Sequence, residues 1–332
     1  MKHTARFRVE PEDFKVEEIP LYPPAGEGGH TFLRVEKRLR TSDAVARQLA
    51  RSVGVPARDV GYAGRKDRVG VTSQWMSVPG LDPASALELE LDGARILEAV
   101  RHPHKLRTGH LKGNRFDLVL REVDSASESH ARERLAEIAT RGMPNRFGPQ
   151  RFGHSGRNPE RGRALLSGET SLRDRRKARF MVSALQAEVF NRVLEERPLE
   201  YDVVEEGDVA QVTTSGGLFL VEDISVDAER AACFEISATG PIFGTKMQWP
   251  LGTVAEREAR VMQELGVPVG EALQPPAGLR VPGTRRAYRA PVGDPSLLRD
   301  TDHLRFRFTL PAGTYATVLL EELFGDLREG AA

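Results

Sequence analysis

One carboxylate and one aromatic-rich stretch are the parts of this sequence whose residue types could do chemistry. Asp67 follows a predicted strand, Val60 to Ala63, through a glycine-containing turn, and is flanked by Arg65, Lys66 and Arg68. Three cations around one acid favour its ionised form, which suits a nucleophile or base and disfavours a general acid. A turn aspartate making surface ion pairs would carry the same local sequence. The second stretch, Asn145-Arg146-Phe147-Gly148-Pro149-Gln150-Arg151-Phe152-Gly153, interleaves arginines and amides with aromatics and glycines. A ring can stack on a splayed base, an amide can hydrogen-bond a base or ribose, and an arginine can hold phosphate. A core segment would show a period of 2 or 3.6 among apolar neighbours, and this one shows neither.

Other candidates carry less. His102, His104 and His110 lie close together but lack further ligands at metal-site spacing, so they are expected at a polar surface or against RNA. The stretch Gly61 to Asp67 has a glycine and a lysine but no Ser or Thr after the lysine, which excludes a nucleotide-hydrolysis loop. The single cysteine, Cys233, excludes internal disulfides and multi-thiolate zinc sites. It sits beside Phe234 with no nearby histidine and is expected to be a buried structural thiol.

The elements that must position these residues follow from periodicity. Phe7, Val9, Phe14, Val16, Phe32, Leu33 and Val35 alternate as strands do. A helix capped by Thr41 or Ser42 carries Val45, Leu49 and Val53 until Gly54 and Pro56 stop it. Strands are predicted at Thr72 to Val78 and Phe116 to Val123, and a helix at Ser127 to Ala139. The longest helix spans about Asp174 to Glu196, with Phe180, Leu185, Val189, Phe190, Val193 and Leu194 as its apolar stripe. Residues 200–283 are acidic and then rich in Gly and Pro, with a strand at Leu218 to Val221 and a helix near Ala255 to Leu265. The earlier style returns in a strand, His303 to Leu310, and a helix, Tyr315 to Phe324. The pattern is that of an α+β fold interrupted by an inserted module.

Lys plus Arg equal Asp plus Glu at 48 each, so the net charge is zero. That zero is a cancellation. Residues 101–180 hold 19 cations against 9 acids, whereas residues 195–235 hold 2 against 12. A cationic segment of this size suits a polyanion such as RNA; internal pairing with the acidic stretch is the plainer use. No apolar run approaches the roughly 18 residues of a membrane span. The first ten residues are basic without an apolar stretch behind them, so no signal peptide is expected and the chain is expected in the cytoplasm.

Taken together the motifs resemble the TruD family of tRNA pseudouridine synthases. They run in order from Pro11 to Glu18, through Ala63 to Arg68 and Val71 to Trp75, then Lys105 to Gly109 and Leu111 to Asn114, then Asn145 to Gly153, to Leu310-Pro311-Ala312-Gly313-Thr314-Tyr315-Ala316-Thr317. The resemblance implies a mixed, largely antiparallel pseudouridine synthase sheet with flanking helices over residues 1–167 and 290–332. A smaller inserted α/β domain over 168–289 interrupts it, with the substrate cleft between the two. It implies isomerisation of uridine 13 in tRNA, without cofactor or metal. Asp67 is then the nucleophile and Arg8 its basic partner, where the family commonly has lysine. Phe14, Asn145, Phe147 and Tyr315 line the substrate site, Tyr315 standing where phenylalanine is more frequent. Lys105, Arg107, Lys112 and Arg151 are the expected RNA contacts. The chain is expected to act as a monomer on tRNA, with no membrane or protein partner.

The chemistry is coherent with the residues. Pseudouridine formation breaks the N1–C1′ bond, turns the uracil and joins C5 to C1′, which needs no redox carrier or phosphoryl donor. The carboxylate can attack C1′, take the C2′ proton or add to C6, and the sequence does not choose among these. A tRNA-binding protein on the same fold without catalysis is the competing reading, and the retained Asp67 argues against it.

Overall fold

Alternating burial in the first third of the chain builds a sheet and also carries charge inward. In the strand Phe14–Pro20 the buried positions are Phe14, Val16 and Glu18, and in His30–Arg38 they include Leu33, Val35 and Lys37. A period of two puts all members of each set on one face, whatever their polarity. The computed structural model describes residues 3–330; Met1 and Lys2, the head of the segment read for a leader, lie outside the described residues, as do the last two.

Two compact units emerge. One takes the segments up to Ala136, Val292–Gly313 and from Leu320 onward; the other takes Glu137–Pro291 and Thr314–Leu319. Residues 168–289, expected as the inserted module, fall inside the second, which also includes residues on either side of them.

The first unit holds an eight-stranded sheet with the path Gly293–Asp300, His303–Pro311, Leu111–Leu120, Phe14–Pro20, Val71–Pro79, His30–Arg38, Ala94–His102; Gly61–Tyr62 also pairs with Val71–Pro79. Phe14–Pro20 and Val71–Pro79 run parallel, with Lys15 opposite Val71, and the other pairings are antiparallel. Thr4–Phe7 pairs in parallel with Asp326–Glu329. Helix Ser42–Ser52 begins at a Thr41 cap, as its sequence predicts, and packs Val45, Ala46, Leu49 and Ala50 on Leu33, Val35, Met76 and Val78. His102, expected at the surface, is buried instead, with its ring against Tyr22 and Phe32 at centroid distances of 5.3 and 4.2 Å. It ends the strand Ala94–His102 opposite His30, and the Tyr22 and Phe32 rings cover it.

The second unit holds a four-stranded antiparallel sheet in the order Leu218–Leu220, Val209–Val212, Ile236–Ile242, Thr284–Ala287. Helix Arg175–Glu195 runs into its core, where Leu185, Val189, Phe190 and Val193 meet Phe243, Val261, Met262 and Tyr288. Phe180, expected in that stripe, is 39% exposed. It lies five residues before Leu185, about 140° round the helix, and the small Ala178 with Met181 and Val182 completes the buried face instead. Cys233 is exposed rather than buried, because it caps the helix Ile224–Ala232 at its solvent end. The acidic stretch is largely spent on arginines of this unit: Asp202 on Arg141 at 2.7 Å, Asp208 on Arg197 at 2.7 Å, Glu196 on Arg260 at 2.7 Å, and Glu205 on Arg197 and Arg257.

Candidate active site

The Asp67 loop is built on a buried cation that its own neighbours do not supply. Arg8 follows the strand Thr4–Phe7 and adopts φ 56°, the left-handed region that costs a side-chain-bearing residue about 1–2 kcal/mol. Its Nη2 donates to Asp67 Oδ2 at 2.8 Å and its Nη1 to Glu329 Oε1 at 2.8 Å, the latter on the strand that pairs with Thr4–Phe7. The guanidinium lies 3.9 Å from the Phe14 ring centroid. The Arg8 side chain is 6% exposed and that of Asp67 41%, so a buried cation underlies an open carboxylate. Asp67 Oδ1 accepts no hydrogen bond among the described residues.

The flanking cations point elsewhere. Arg65 pairs with Asp43 at 3.2 Å, and Lys66 Nζ lies 2.8 Å from Glu18 Oε2 and donates to Asn114 Oδ1 at 2.7 Å. Side chains from three other elements clamp the loop backbone. Lys37 Nζ donates to the Asp67 carbonyl at 2.6 Å. Ser42 Oγ accepts from Lys66 N–H at 2.9 Å and donates to Gln74 Oε1 at 2.5 Å, while Gln74 Nε2 donates to the Gly64 carbonyl at 3.1 Å. Gly70 closes the loop at φ 134°, where a Cβ would stand 2.6 Å from the Phe14 carbonyl. Burial pushes the Lys37 ammonium down to about 8, with Asp67 opposing and Lys66 reinforcing the shift. Lys37 and Glu18 were not singled out from the sequence. Their signal was there, since both continue the inward positions of an alternating strand.

In the second unit Asn145, Phe147, Tyr315 and Arg151 come together. Asn145 is buried: its Nδ2 donates to the Ala287 carbonyl at 3.0 Å, its Oδ1 accepts from Arg286 Nη2, and its carbonyl accepts from Arg286 Nε at 3.1 Å. That fixes Arg286 over the Phe147 ring, 4.2 Å from its centroid. The ring meets Phe190 edge-on at 5.5 Å and Tyr315 at 6.0 Å. Asn191 holds the Phe147 backbone like a strand partner, accepting from its N–H at 2.8 Å and donating to its carbonyl at 2.9 Å. Gly148 lets the chain pass Tyr315, for a Cβ there would come within 3.1 Å of that ring. Burial lowers Arg286 to about 10. Arg286 and Asn191, both unflagged by any sequence motif, thus do the positioning.

Asp67, Arg8 and Phe14 therefore form one group, in the first unit, and Asn145, Phe147, Tyr315 and Arg151 another, in the second. Phe14 is 1% exposed and supports Arg8 with its ring. Of the expected RNA contacts, Arg107 and Lys112 are exposed and make no ion pair among the described residues, and Lys105 donates to the Arg58 carbonyl.

A half-exposed carboxylate over a buried guanidinium can act on an electrophilic centre. The family profile of tRNA pseudouridine synthase D (TruD) matches residues 2–172 and 171–323. The chain is 45% identical over 324 residues to a tRNA pseudouridine synthase D of Anaeromyxobacter dehalogenans, covering 95% of this chain and 92% of that one. It is 42% identical over 319 residues to one of Thermus thermophilus, covering 95% and 87%. Among solved structures, the putative tRNA pseudouridine synthase D (TruD) of Methanosarcina mazei superposes with a TM-score of 0.77 at 21% identity, covering 98% of this chain and 94% of that one; it shares the fold.

Proposed function

We propose that this chain, which belongs to the tRNA pseudouridine synthase D family and makes pseudouridine in tRNA, acts on uridine 13 with Asp67 as its nucleophile. The observation that carries the aspartate assignment is the Asp67–Arg8 pair: one oxygen of a half-exposed carboxylate is held by a buried guanidinium, and the other accepts no hydrogen bond among the described residues. A carboxylate so held is oriented without being covered, which is what attack on a ribose or base carbon requires.

Substrate uridine enters with its N1–C1′ bond intact, and the free Oδ1 of Asp67 is the atom that meets it. Arg8 keeps the carboxylate directed, through its hydrogen bond to Oδ2, while that bond breaks and the C5–C1′ bond forms. The proton lost from C5 balances the one gained at N1, so the product is an isomer. Phe147, Asn145 and Tyr315 are the proposed base-contacting set, with Asn145 acting through Arg286, and the target base must first leave its stack.

Purified protein incubated with bulk tRNA from a strain lacking the modification, followed by chemical mapping, tests the reading. A single pseudouridine at position 13 is expected. Modification at another position would refute the site assignment. Asp67→Asn is expected to abolish product while tRNA affinity and thermal stability stay nearly unchanged; turnover within about tenfold of wild type would refute the nucleophile, whose loss costs several powers of ten.

A further inference from the structure

The start of helix Arg175–Glu195 concentrates cations that are unpaired among the described residues. Arg173, Arg175, Arg176, Lys177 and Arg179 are all exposed, and none makes an ion pair or side-chain hydrogen bond among the described residues. The one acid in the run, Asp174, caps the helix by accepting from the Arg176 and Lys177 N–H groups at 2.9 and 3.1 Å. Elsewhere in this unit arginines are routinely paired, as Arg141, Arg197, Arg257 and Arg260 are. Five unpaired cations within seven residues are electrostatically unfavourable to each other unless an anion joins them.

Two further observations give that anion a shape. Arg175 and Arg179, one turn apart, border a cleft of about 140 Å³ that Thr170, Ser171, Leu172 and Leu279 also line. That is several times the ~30 Å³ share of one water, and it offers hydroxyls and apolar walls together. Beside it, Phe180 is 39% exposed, and the Arg151 guanidinium stands 5.6 Å from the Phe180 ring and 5.6 Å from the Phe147 ring. Arg151 Nε is buried without a hydrogen-bond partner among the described residues. An aromatic, an arginine and an aromatic thus lead from Phe147 to the cationic turns.

We infer that this surface is a second RNA-binding site: Arg175 and Arg179 hold phosphates of a single-stranded stretch of tRNA outside the isomerised nucleotide, and a base of that stretch enters the cleft. Phe180 offers its ring to the next base, since base stacking on an aromatic is tolerant of sequence. The site rests on the reading that the substrate is tRNA.

The test compares wild type, Arg175→Gln/Arg179→Gln and the charge-retaining Arg175→Lys/Arg179→Lys in tRNA binding across 50–200 mM salt, with kcat measured at saturating tRNA. The glutamine variant is expected to bind about tenfold more weakly, and its slope of log affinity against log salt to fall by about 1.4, at about 0.7 per single-stranded phosphate. Its kcat and melting temperature are expected to hold. The lysine variant is expected to keep the salt slope. Wild-type affinity and slope in the glutamine variant would overturn the site. So would submillimolar binding of inorganic phosphate to wild type, lost in the glutamine variant while tRNA affinity is unchanged, for that marks a small-anion site. If wild type binds tRNA but makes no pseudouridine, the enzymatic reading fails and the binding comparison still stands.

Discussion

Lys37→Met separates the stability of this fold from its function. Lys37 is 1% exposed, and its ammonium donates one hydrogen bond, to the Asp67 carbonyl at 2.6 Å. A lysine ordinarily near 10.5 and held at about 8 by burial corresponds to roughly 3 kcal/mol spent on keeping the ammonium charged at neutral pH. A charge-assisted hydrogen bond returns roughly 1.5–3 kcal/mol. The two nearly offset, so the straight-chain methionine, which fills the same space, is expected to leave the unfolding free energy at pH 7 within about 2 kcal/mol of wild type. Activity is expected to behave differently. With the carbonyl of Asp67 released, the carboxylate is displaced on the scale of an ångström, which costs about 10²-fold in rate.

The pH dependence carries the sign of the effect. Below pH 8 folded and unfolded chains both hold the Lys37 proton, and the full cost of burial is present. Between about 8 and 10.5 the unfolded chain binds more protons than the folded one, so this group makes the wild type more stable as pH rises. Lys37→Met lacks that contribution. Urea unfolding of both proteins at pH 7 and pH 10, with single-turnover pseudouridine formation at pH 7, reads both halves. Parallel stability in the two proteins across that range would refute the buried-charge account, and unchanged turnover would refute the positioning role.

Arg8→Lys keeps a cation but cannot bridge Asp67 and Glu329 with two nitrogens at 2.8 Å each; turnover is expected to fall about 10–100-fold with the protein folded, measured under single-turnover conditions. Gly70→Ala places a Cβ 2.6 Å from the Phe14 carbonyl at φ 134° and is expected to lower stability by about 1–3 kcal/mol in urea unfolding. Phe147→Ala is expected to reduce turnover more than tRNA affinity, a stacked base being worth about 1–3 kcal/mol. An unfolded Phe147→Ala protein would make that ring a core residue alone, since it packs on Phe190.

What the sequence made legible was whatever repeats at a regular spacing. The helices Ser42–Ser52 and Arg175–Glu195 lie within two residues of their expected bounds because both have side-chain caps, Thr41 and Asp174, and apolar stripes. The strand Ala94–His102 escaped notice, for as an edge strand it exposes Arg95, Leu97 and Glu98 and buries little. Phe180 falls outside the stripe because it stands about 140° round the helix from Leu185, which spacing along the sequence alone does not reveal. Cys233 was misplaced because a small apolar residue beside Phe234 looks like core, and only the helix end turns it outward. Asp67 stands out in the sequence by the cations beside it, yet Arg65 and Lys66 are not its partners. The residues that hold it, Arg8, Lys37, Ser42 and Gln74, come from elements brought together by strand order, which no local window contains.

The same placement weighs against the plainer reading of Asp67 as a surface turn residue in ion pairs and supports the proposed role. Such a turn needs no support from beneath and would be free to relax. Here several costly local choices gather in the loop of one half-exposed carboxylate and its supports: Arg8 in the left-handed region, a lysine buried at 1% exposure, a buried Lys66–Glu18 pair, and a glycine at φ 134° against Phe14. The left-handed Arg8, the buried Lys37 and the buried Lys66–Glu18 pair each carry a backbone or desolvation cost that their bonds do no more than offset, so stability alone gives no reason to keep them over Arg8→Gly, Lys37→Met or an apolar pair in place of Lys66 and Glu18. Local choices that conflict with the fold accumulate where function over-determines them. Their concentration around Asp67, rather than the acid itself or the cations beside it in sequence, is what supports the proposal that Asp67 carries the chemistry.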